Sequence, residues 1–207
     1  MEFIHEKIDL GYDSLDRAEH SDGRRYVTLD GNAYPSVTTI LGIVNEEKIA
    51  AWRKRVGEDE ANKIGTRAAN RGTAVHSIIE KYLQGEDTTD FLPHIKVYAT
   101  EVALYSDHLK AAGTCDAVLE WAGVPTIIDW KTSRRPKKKK DIPTYFMQGS
   151  AYAVMWEERT GMPIDRIRIV MDVDDFHPVM YIEKRDDWID QFIYWRDEYN
   201  KRKMFHG

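Results

Sequence analysis

Asp116 and Asp129 stand thirteen residues apart, and Lys131 lies two residues beyond the second of them. The chain between them divides into Ala117-Val118-Leu119-Glu120-Trp121 and Val124-Pro125-Thr126-Ile127-Ile128 around the weak turn Ala122-Gly123. It reads as two antiparallel strands joined by a two-residue loop. In that register Trp121 faces Val124, Glu120 faces Pro125 and Asp116 faces Asp129. Side chains alternate along a strand, so both carboxylates, and Lys131 with them, fall on one face. Opposed carboxylates repel and call for a cation. Oxygen ligands favour a hard divalent ion, Mg2+ or Mn2+, which keeps several waters and accepts a phosphate oxygen as a further ligand. Lys131 would stabilise developing charge or orient the attacking water. An isolated Asp-x-Lys is more simply a surface ion pair, so the case rests on what surrounds it.

Several elements must position these residues. Residues 1 to about 23 are polar, without a sustained period, and read as irregular. Arg25 to Leu29, Asp30-Gly31 and Ala33-Tyr34 form a hairpin signal, and Pro35-Ser36 opens a helix with Ser36 as N-cap and Val37, Ile40, Leu41 and Val44 at helical spacing. Helical patterning resumes from Glu46 through Ile49, Trp52 and Val56 and runs as a polar stretch toward Asn70, where Arg71-Gly72 reads as a break. Thr73 to Leu83 is amphipathic through Val75, Ile78, Ile79, Tyr82 and Leu83. His76 and Glu80 share a face beside that stripe, Glu80 being a partner for the imidazole if His76 is a ligand. Glu101 to Tyr105 reads as a strand, and Glu101 either joins the acidic cluster or points to solvent. Thr144 to about Glu158 is a helix carrying Gln148 and Tyr152 one turn apart. Ile167, Ile169, Met171 and Val173 alternate on one strand face, Val179 to Glu183 returns beside them, and a helix runs from Asp186 to about Arg202.

With 207 residues, 42% hydrophobic and 31% charged, the chain is expected to fold as one soluble domain. No apolar run approaches the roughly 20 residues of a membrane span. Seven acidic and two basic residues among the first 22 resemble neither a secretory signal nor a transit peptide, so a cytoplasmic location is expected. Cys115 is the one cysteine, which excludes an internal disulfide and a four-cysteine metal site. The net charge of −5 argues mildly against a nucleic-acid partner, but surface fields reach only about 10 Å, so local distribution matters more. Arg134-Arg135-Pro136-Lys137-Lys138-Lys139-Lys140 places six positive charges directly after the Asp129-Trp130-Lys131 strand. Alone it is a solvated loop; beside a metal and carboxylate face it reads as a guide for a polyanion.

Five blocks, in order, resemble the PD-(D/E)XK nuclease superfamily, its RecB-like branch, and within that the mitochondrial genome maintenance exonuclease type and its phage relatives. They are Pro35-Ser36-Val37-Thr38-Thr39-Ile40-Leu41, Arg71-Gly72-Thr73-Ala74-Val75-His76, Gly113-Thr114-Cys115-Asp116, Ile128-Asp129-Trp130-Lys131-Thr132-Ser133, and Gln148 with Tyr152. Cys115 stands where the superfamily's naming motif has Pro. The resemblance implies an α/β fold with a restriction-endonuclease-like core, a central mixed β-sheet flanked by helices. It implies one domain over 1-207, with an N-terminal helical, DNA-binding addition over 1-70 and a catalytic core over 71-207. Asp116, Asp129, Lys131, Gln148 and Tyr152 would be catalytic, and His76, Asp116, Asp129 and the backbone carbonyl of Trp130 would hold Mg2+ or Mn2+, the His donor tilting preference toward Mn2+. DNA contacts would come from Ser36, Thr38, Arg71, Thr132, Ser133, Arg134, Arg135 and Lys137 to Lys140.

The implied activity is a metal-dependent DNA exonuclease preferring single strands, in phage or bacterial replication, recombination or repair, with single-strand annealing or replication proteins as candidate partners. An endonuclease on the same scaffold and a non-catalytic nucleic-acid-binding protein are the alternatives. Tyr26, Tyr34 and Trp52 are either base-stacking or core residues. No Gly-x-x-x-x-Gly-Lys-Ser/Thr loop occurs, so no nucleotide cofactor is expected.

If the basic run guides DNA, neutralising Lys137 to Lys140 should weaken binding across all sequences. The slope of log affinity against log salt should then flatten by about one unit per lost phosphate contact. A salt titration by fluorescence anisotropy measures it, and an unchanged slope would leave the run a solvated loop.

Overall fold

The computed structural model describes residues 4–84 and 95–206. In chain order these form β1 (Ile4–His5), β2 (Asp16–His20), β3 (Gly23–Val27), β4 (Ala33–Pro35), α1 (Val37–Gly42), α2 (Glu46–Val56), α3 (Glu58–Leu83), β5 (Ile95–Ser106), β6 (Ala111–Trp121), β7 (Val124–Ser133), α4 (Pro143–Thr160), β8 (Arg166–Val173), β9 (Val179–Lys184) and α5 (Ile189–His206). Six strands make one mixed sheet in the order β1-β5-β6-β7-β8-β9, parallel at β1/β5 and β7/β8 and antiparallel elsewhere. A second sheet, β2-β3-β4, packs beside it. The expected α/β architecture, a central mixed sheet flanked by helices, is present. No helix among the described residues is long and apolar enough to cross a membrane.

The β6–β7 hairpin has the predicted register, from Trp121 opposite Val124 to Ala117 opposite Ile128. Its two loop residues both have positive φ, 51° at Ala122 and 78° at Gly123, the combination that matches the twist of a two-residue hairpin. The ladder stops at Ala117/Ile128. From there β6 stays with β5, through Cys115 opposite Val102, while β7 stays with β8, through Asp129 opposite Ile169 and Lys131 opposite Met171. The two strands therefore fork one residue before the carboxylates.

Helices close both sides of the fork. Beneath one face lie α4 and α5, with Met147, Ala151, Met155, Trp156 and Phe192 packed on Cys115, Val118 and Ile127. On the other, Ile79, Tyr82 and Leu83 of α3 pack on Leu119, Ile128 and Trp130. The alternation predicted for β8 holds: Ile167, Ile169, Met171 and Val173 are buried and their neighbours are not. Ser36 caps α1 by accepting the Thr39 N–H at 2.9 Å.

Four expectations need correction. Residues 1 to 23 are not irregular throughout, since β1 and β2 lie within them. Every residue of β2 is exposed, so it shows no apolar period and is held by its pairing with β3. Arg71-Gly72 does not break the helix; α3 runs unbroken across it, so the expected junction between 70 and 71 falls inside a helix. The break lies at Gly57, whose φ of 86° ends α2. The strand expected over Glu101 to Tyr105 extends from Ile95 to Ser106, with a register shift between Val97 and Ala99. The N-terminal addition is a small sheet as well as helices. Tyr26 is buried with its hydroxyl 3.0 Å from Thr114 Oγ1, and Tyr34 donates to Asp107 at 2.8 Å, so both tyrosines are structural.

Gly149 lets α4 lie directly on Ile167 of β8, because a Cβ there would overlap the Ile167 side chain. Gly149→Ala is expected to destabilise the fold by about 1–3 kcal/mol through overpacking, read as a lower denaturation midpoint with an unchanged denaturant slope.

Candidate metal centre

The fork leaves the backbone of Trp130 without a partner on β6, and side chains take up both of its polar groups. Its N–H donates to Asp116 Oδ2 at 2.7 Å. Its carbonyl oxygen is 2.9 Å from His76 Nε2, which α3 brings across the gap. The same Nε2 lies 3.7 Å from Asp116 Oδ2. Neighbouring ligands on an octahedral ion with bonds near 2.1 Å sit roughly 3 Å apart. His76 Nε2 thus lies beside both the Trp130 carbonyl and Asp116 Oδ2, at spacings that ligands of a small divalent ion can take.

Asp129, close enough to Asp116 to repel it, is fully buried and reaches Gln148 of α4. Gln148 Nε2 donates to its Oδ1 at 3.0 Å and lies 3.4 Å from the Tyr152 hydroxyl. Its Oδ2 has no aligned hydrogen-bond donor and sits 2.5 Å from Lys131 Nζ, an ion pair that leaves lone pairs on the oxygen for another cation. Tyr152 packs flat on Gly113, where a Cβ would come within 2.8 Å of its hydroxyl oxygen; this is why the motif has glycine there. Lys131 Nζ also lies 5.2 Å from the centre of the Tyr145 ring.

The electrostatics follow from burial. Burial pushes the Asp116 carboxyl up to about 7, with repulsion from Asp129 adding to it and Lys131 and His76 opposing it. His76 is raised to about 9, chiefly by Glu101, against burial and with help from Asp116 and the Trp130 carbonyl. Burial alone would lower Lys131, but Asp129 and Asp116 outweigh it and the ammonium is held charged. Burial raises the Cys115 thiol well above its usual range, and the side chain faces the core, so it is no ligand.

Glu101 belongs to this cluster. Its Oε1 is 3.6 Å from His76 Nδ1, and His76, Glu101 and Asp116 offer ligand atoms within 4.8 Å of one another. Glu80, the partner expected for His76, instead accepts a hydrogen bond from Gln84 Nε2 at 3.2 Å, a full turn along α3. Gly72, beside Arg71 on the same helix, has nothing within 4 Å of where its Cβ would be. The β5–β6 register could have revealed Glu101, since Thr100 faces Ala117 and Val102 faces Cys115, which sets Glu101 across from Asp116. Its apolar neighbours instead suggested a short, ordinary strand.

The residues expected at DNA are less uniform. Arg71 donates to the Ser133 carbonyl at 3.2 Å and to Asp172 at 2.6 Å and pairs with Asp174, tying α3 to the ends of β7 and β8. Ser36 is buried, its hydroxyl used by the cap and by Thr38 and Thr39, whereas Thr38 is exposed. Ser133 Oγ donates to the Arg135 carbonyl at 2.7 Å, and Thr132 is half-buried. Within the basic run, Tyr181 donates to the Lys137 carbonyl at 2.5 Å and Lys139 pairs with Glu183 at 2.7 Å, so the loop is anchored to β9. Arg134, Arg135, Lys138 and Lys140 are exposed.

No protein-family model matches the chain. Mitochondrial genome maintenance exonuclease 1 of Mus musculus is 28% identical over 136 residues, and that of Homo sapiens 27% over 137; each alignment covers 54% of this chain and 40% of the relative. The chain thus spans less than half the length of the relatives it matches, and the relationship is a distant homology to exonucleases. Two solved structures resemble it more loosely. SSO0001 is 14% identical with a TM-score of 0.42, covering 74% of this chain and 70% of that one. A Eubacterium rectale protein described provisionally as an exonuclease is 16% identical with a TM-score of 0.37, covering 81% and 66%.

Asp116 and His76 both bind a proton more tightly in the fold than in the unfolded chain. Their stabilisation is complete at low pH and is lost as pH rises, for Asp116 between 3.8 and about 7. In excess chelator, stability should therefore fall across that window by up to about 1.4 kcal/mol per pH unit for the one proton. Asp116→Asn, which keeps an oxygen for the Trp130 N–H, should flatten the fall in thermal melts across pH; an unaltered profile would show that Asp116 is not strained by burial.

Proposed function

We propose that the chain is a divalent-metal-dependent deoxyribonuclease, acting as an exonuclease on single-stranded DNA in phage or bacterial replication, recombination or repair. The observation that carries this reading is the convergence at the fork: a ring nitrogen beside both a backbone carbonyl and a carboxylate oxygen, with an ion-paired buried carboxylate and ammonium on the neighbouring strand. The distant homology to exonucleases supports it.

In this reading His76, Asp116, the Trp130 carbonyl and Asp129 would hold Mg2+ or Mn2+. Such an ion lowers the pKa of bound water and offsets charge on the phosphate. The single nitrogen among oxygen donors tilts the preference to Mn2+. Glu101 faces the second ring nitrogen and fixes which nitrogen of His76 turns inward. Gln148 holds one oxygen of Asp129, leaving the other directed at the reacting centre, and Tyr152 on Gly113 keeps Gln148 in place. Lys131, kept protonated by two carboxylates, stands ready to neutralise charge that builds on the phosphate oxygens in the transition state. The exposed basic residues of 134–140, which follow β7 directly, would bind the backbone of the approaching strand.

End-labelled single-stranded DNA should be shortened with Mn2+ or Mg2+ and spared in chelator. Lys131→Ala should lower the rate on the order of 10²-fold or more. Asp129→Ala would strand Lys131 as an unpaired buried charge and threaten the fold, so Asp129→Asn, checked by circular dichroism, is the cleaner variant. Undiminished degradation by both Lys131→Ala and Asp129→Asn would refute the assigned site. Cutting of circular single strands would instead make the enzyme an endonuclease.

A further inference from the structure

The segment between β1 and β2 is stitched to the outer edge of β5 at two points. Glu6 N–H donates to the Val97 carbonyl at 3.0 Å, and the Tyr12 hydroxyl donates to the Ala103 carbonyl at 3.0 Å. Between those ties it stands off the strand and encloses a cavity of about 710 Å3. One wall carries Asp9, Tyr12 and Asp13; the other carries Ala99, Glu101 and Val102 of β5. Glu101 is the link, because it also faces His76 and the candidate metal centre. The cavity lies along the outer edge of β5 and the fork lies beyond β6, so two strands separate them and the Glu101 side chain reaches from one toward the other.

Size and charge together restrict what the cavity can take. A nucleotide needs roughly 300 Å3, the low end of small-ligand pockets, so there is room for one terminal unit with its surrounding water. Asp9, Asp13 and Glu101 outnumber Lys7 among the charged residues that line it. Such a lining repels a run of phosphates but suits a neutral nucleoside, whose base can stack on Tyr12 and offer amino groups to the carboxylates. On the far side of the fork stand the cations of Arg134 to Lys140. A polyanion is favoured there and disfavoured here.

From this asymmetry we infer that the β5-edge cavity is the subsite for the leaving end: it binds the terminal nucleoside of the strand while the scissile phosphate sits at the fork and the remaining strand lies on the basic loop. The inference rests on the nuclease reading above and adds to it the cavity that sets what is released. It also assigns a selectivity, against strands whose degraded end carries a phosphate.

Two measurements test it. With Mn2+, matched oligonucleotides bearing either a hydroxyl or a phosphate at the degraded end are compared. The phosphate should slow release of the first unit by about fivefold or more, the size of a partly screened like-charge contact, and Asp13→Lys, an exposed substitution, should erase most of that difference. In parallel, Ala99→Trp should fill the cavity and lower the ratio of kcat/KM on an oligonucleotide to kcat/KM on bis(p-nitrophenyl) phosphate by about tenfold, since the small ester needs only the metal centre. Equal rates on both ends in the wild type, or an unchanged discrimination in Asp13→Lys, would overturn the subsite even if Ala99→Trp failed to fold. Hydrolysis of neither substrate by the wild type would overturn the nuclease reading itself, and the subsite with it.

Discussion

Buried negative charge at a gap in the sheet is the constraint on which this structure turns. Asp116, Asp129 and Glu101 converge where β6 and β7 part, and carboxylates out of water need cations near them. Two are supplied by the protein. Lys131 covers one oxygen of Asp129, and His76, raised to about 9, is charged at neutral pH in the absence of a metal and faces Glu101, Asp116 and the Trp130 carbonyl together. An arrangement that a protonated imidazole can only partly satisfy is one in which a divalent ion exchanges readily for a proton, because ligand and proton compete for the same lone pairs.

The rest of the fold serves the gap. Were the β6–β7 ladder to continue, the Trp130 N–H and carbonyl would be spent on β6; the fork frees them for Asp116 and His76. His76 must then come from outside the sheet, and a helix of 26 residues carries it, seated at its C-terminal end by Leu83 in the second core and at its middle by Arg71 between Asp172, Asp174 and the Ser133 carbonyl. Across the sheet, α4 approaches closely enough for Gln148 to reach Asp129 because Gly149 removes a side chain against β8 and Gly113 removes one under Tyr152. Each glycine replaces a contact that would push the helix outward.

Much of this was legible in the residues. Ala122-Gly123 fixes the register of β6 and β7 because a two-residue loop leaves no freedom in the pairing, and β8 announces its buried face through four alternating apolar residues. The end of the ladder was not legible, since nothing local marks where two strands cease to pair; the predicted Asp116/Asp129 opposition becomes a fork in which Asp116 turns to a backbone N–H. Strand β2 was hidden because all of its side chains face water, and the helix boundary was misplaced because Gly72 is tolerated inside a helix at about 1 kcal/mol while Gly57, with its positive φ, is the true stop. The clamp on Arg71 was not legible, because an exposed arginine and one held by distant acids are identical in one dimension.

Glu101 shows how the two levels meet. It occupies the middle of the longest strand with φ of 45°, a conformation that costs a side chain with a Cβ about 1–2 kcal/mol. A glycine or asparagine would relieve that cost but would not supply the carboxylate that faces His76. The left-handed backbone interrupts regular pairing at the one residue set across from Asp116, and the side chain thereby reaches the imidazole of His76. Strain in β5 and the fork between β6 and β7 thus have the same effect: both interrupt the ladder where the side chains of Glu101, His76 and Asp116 come together.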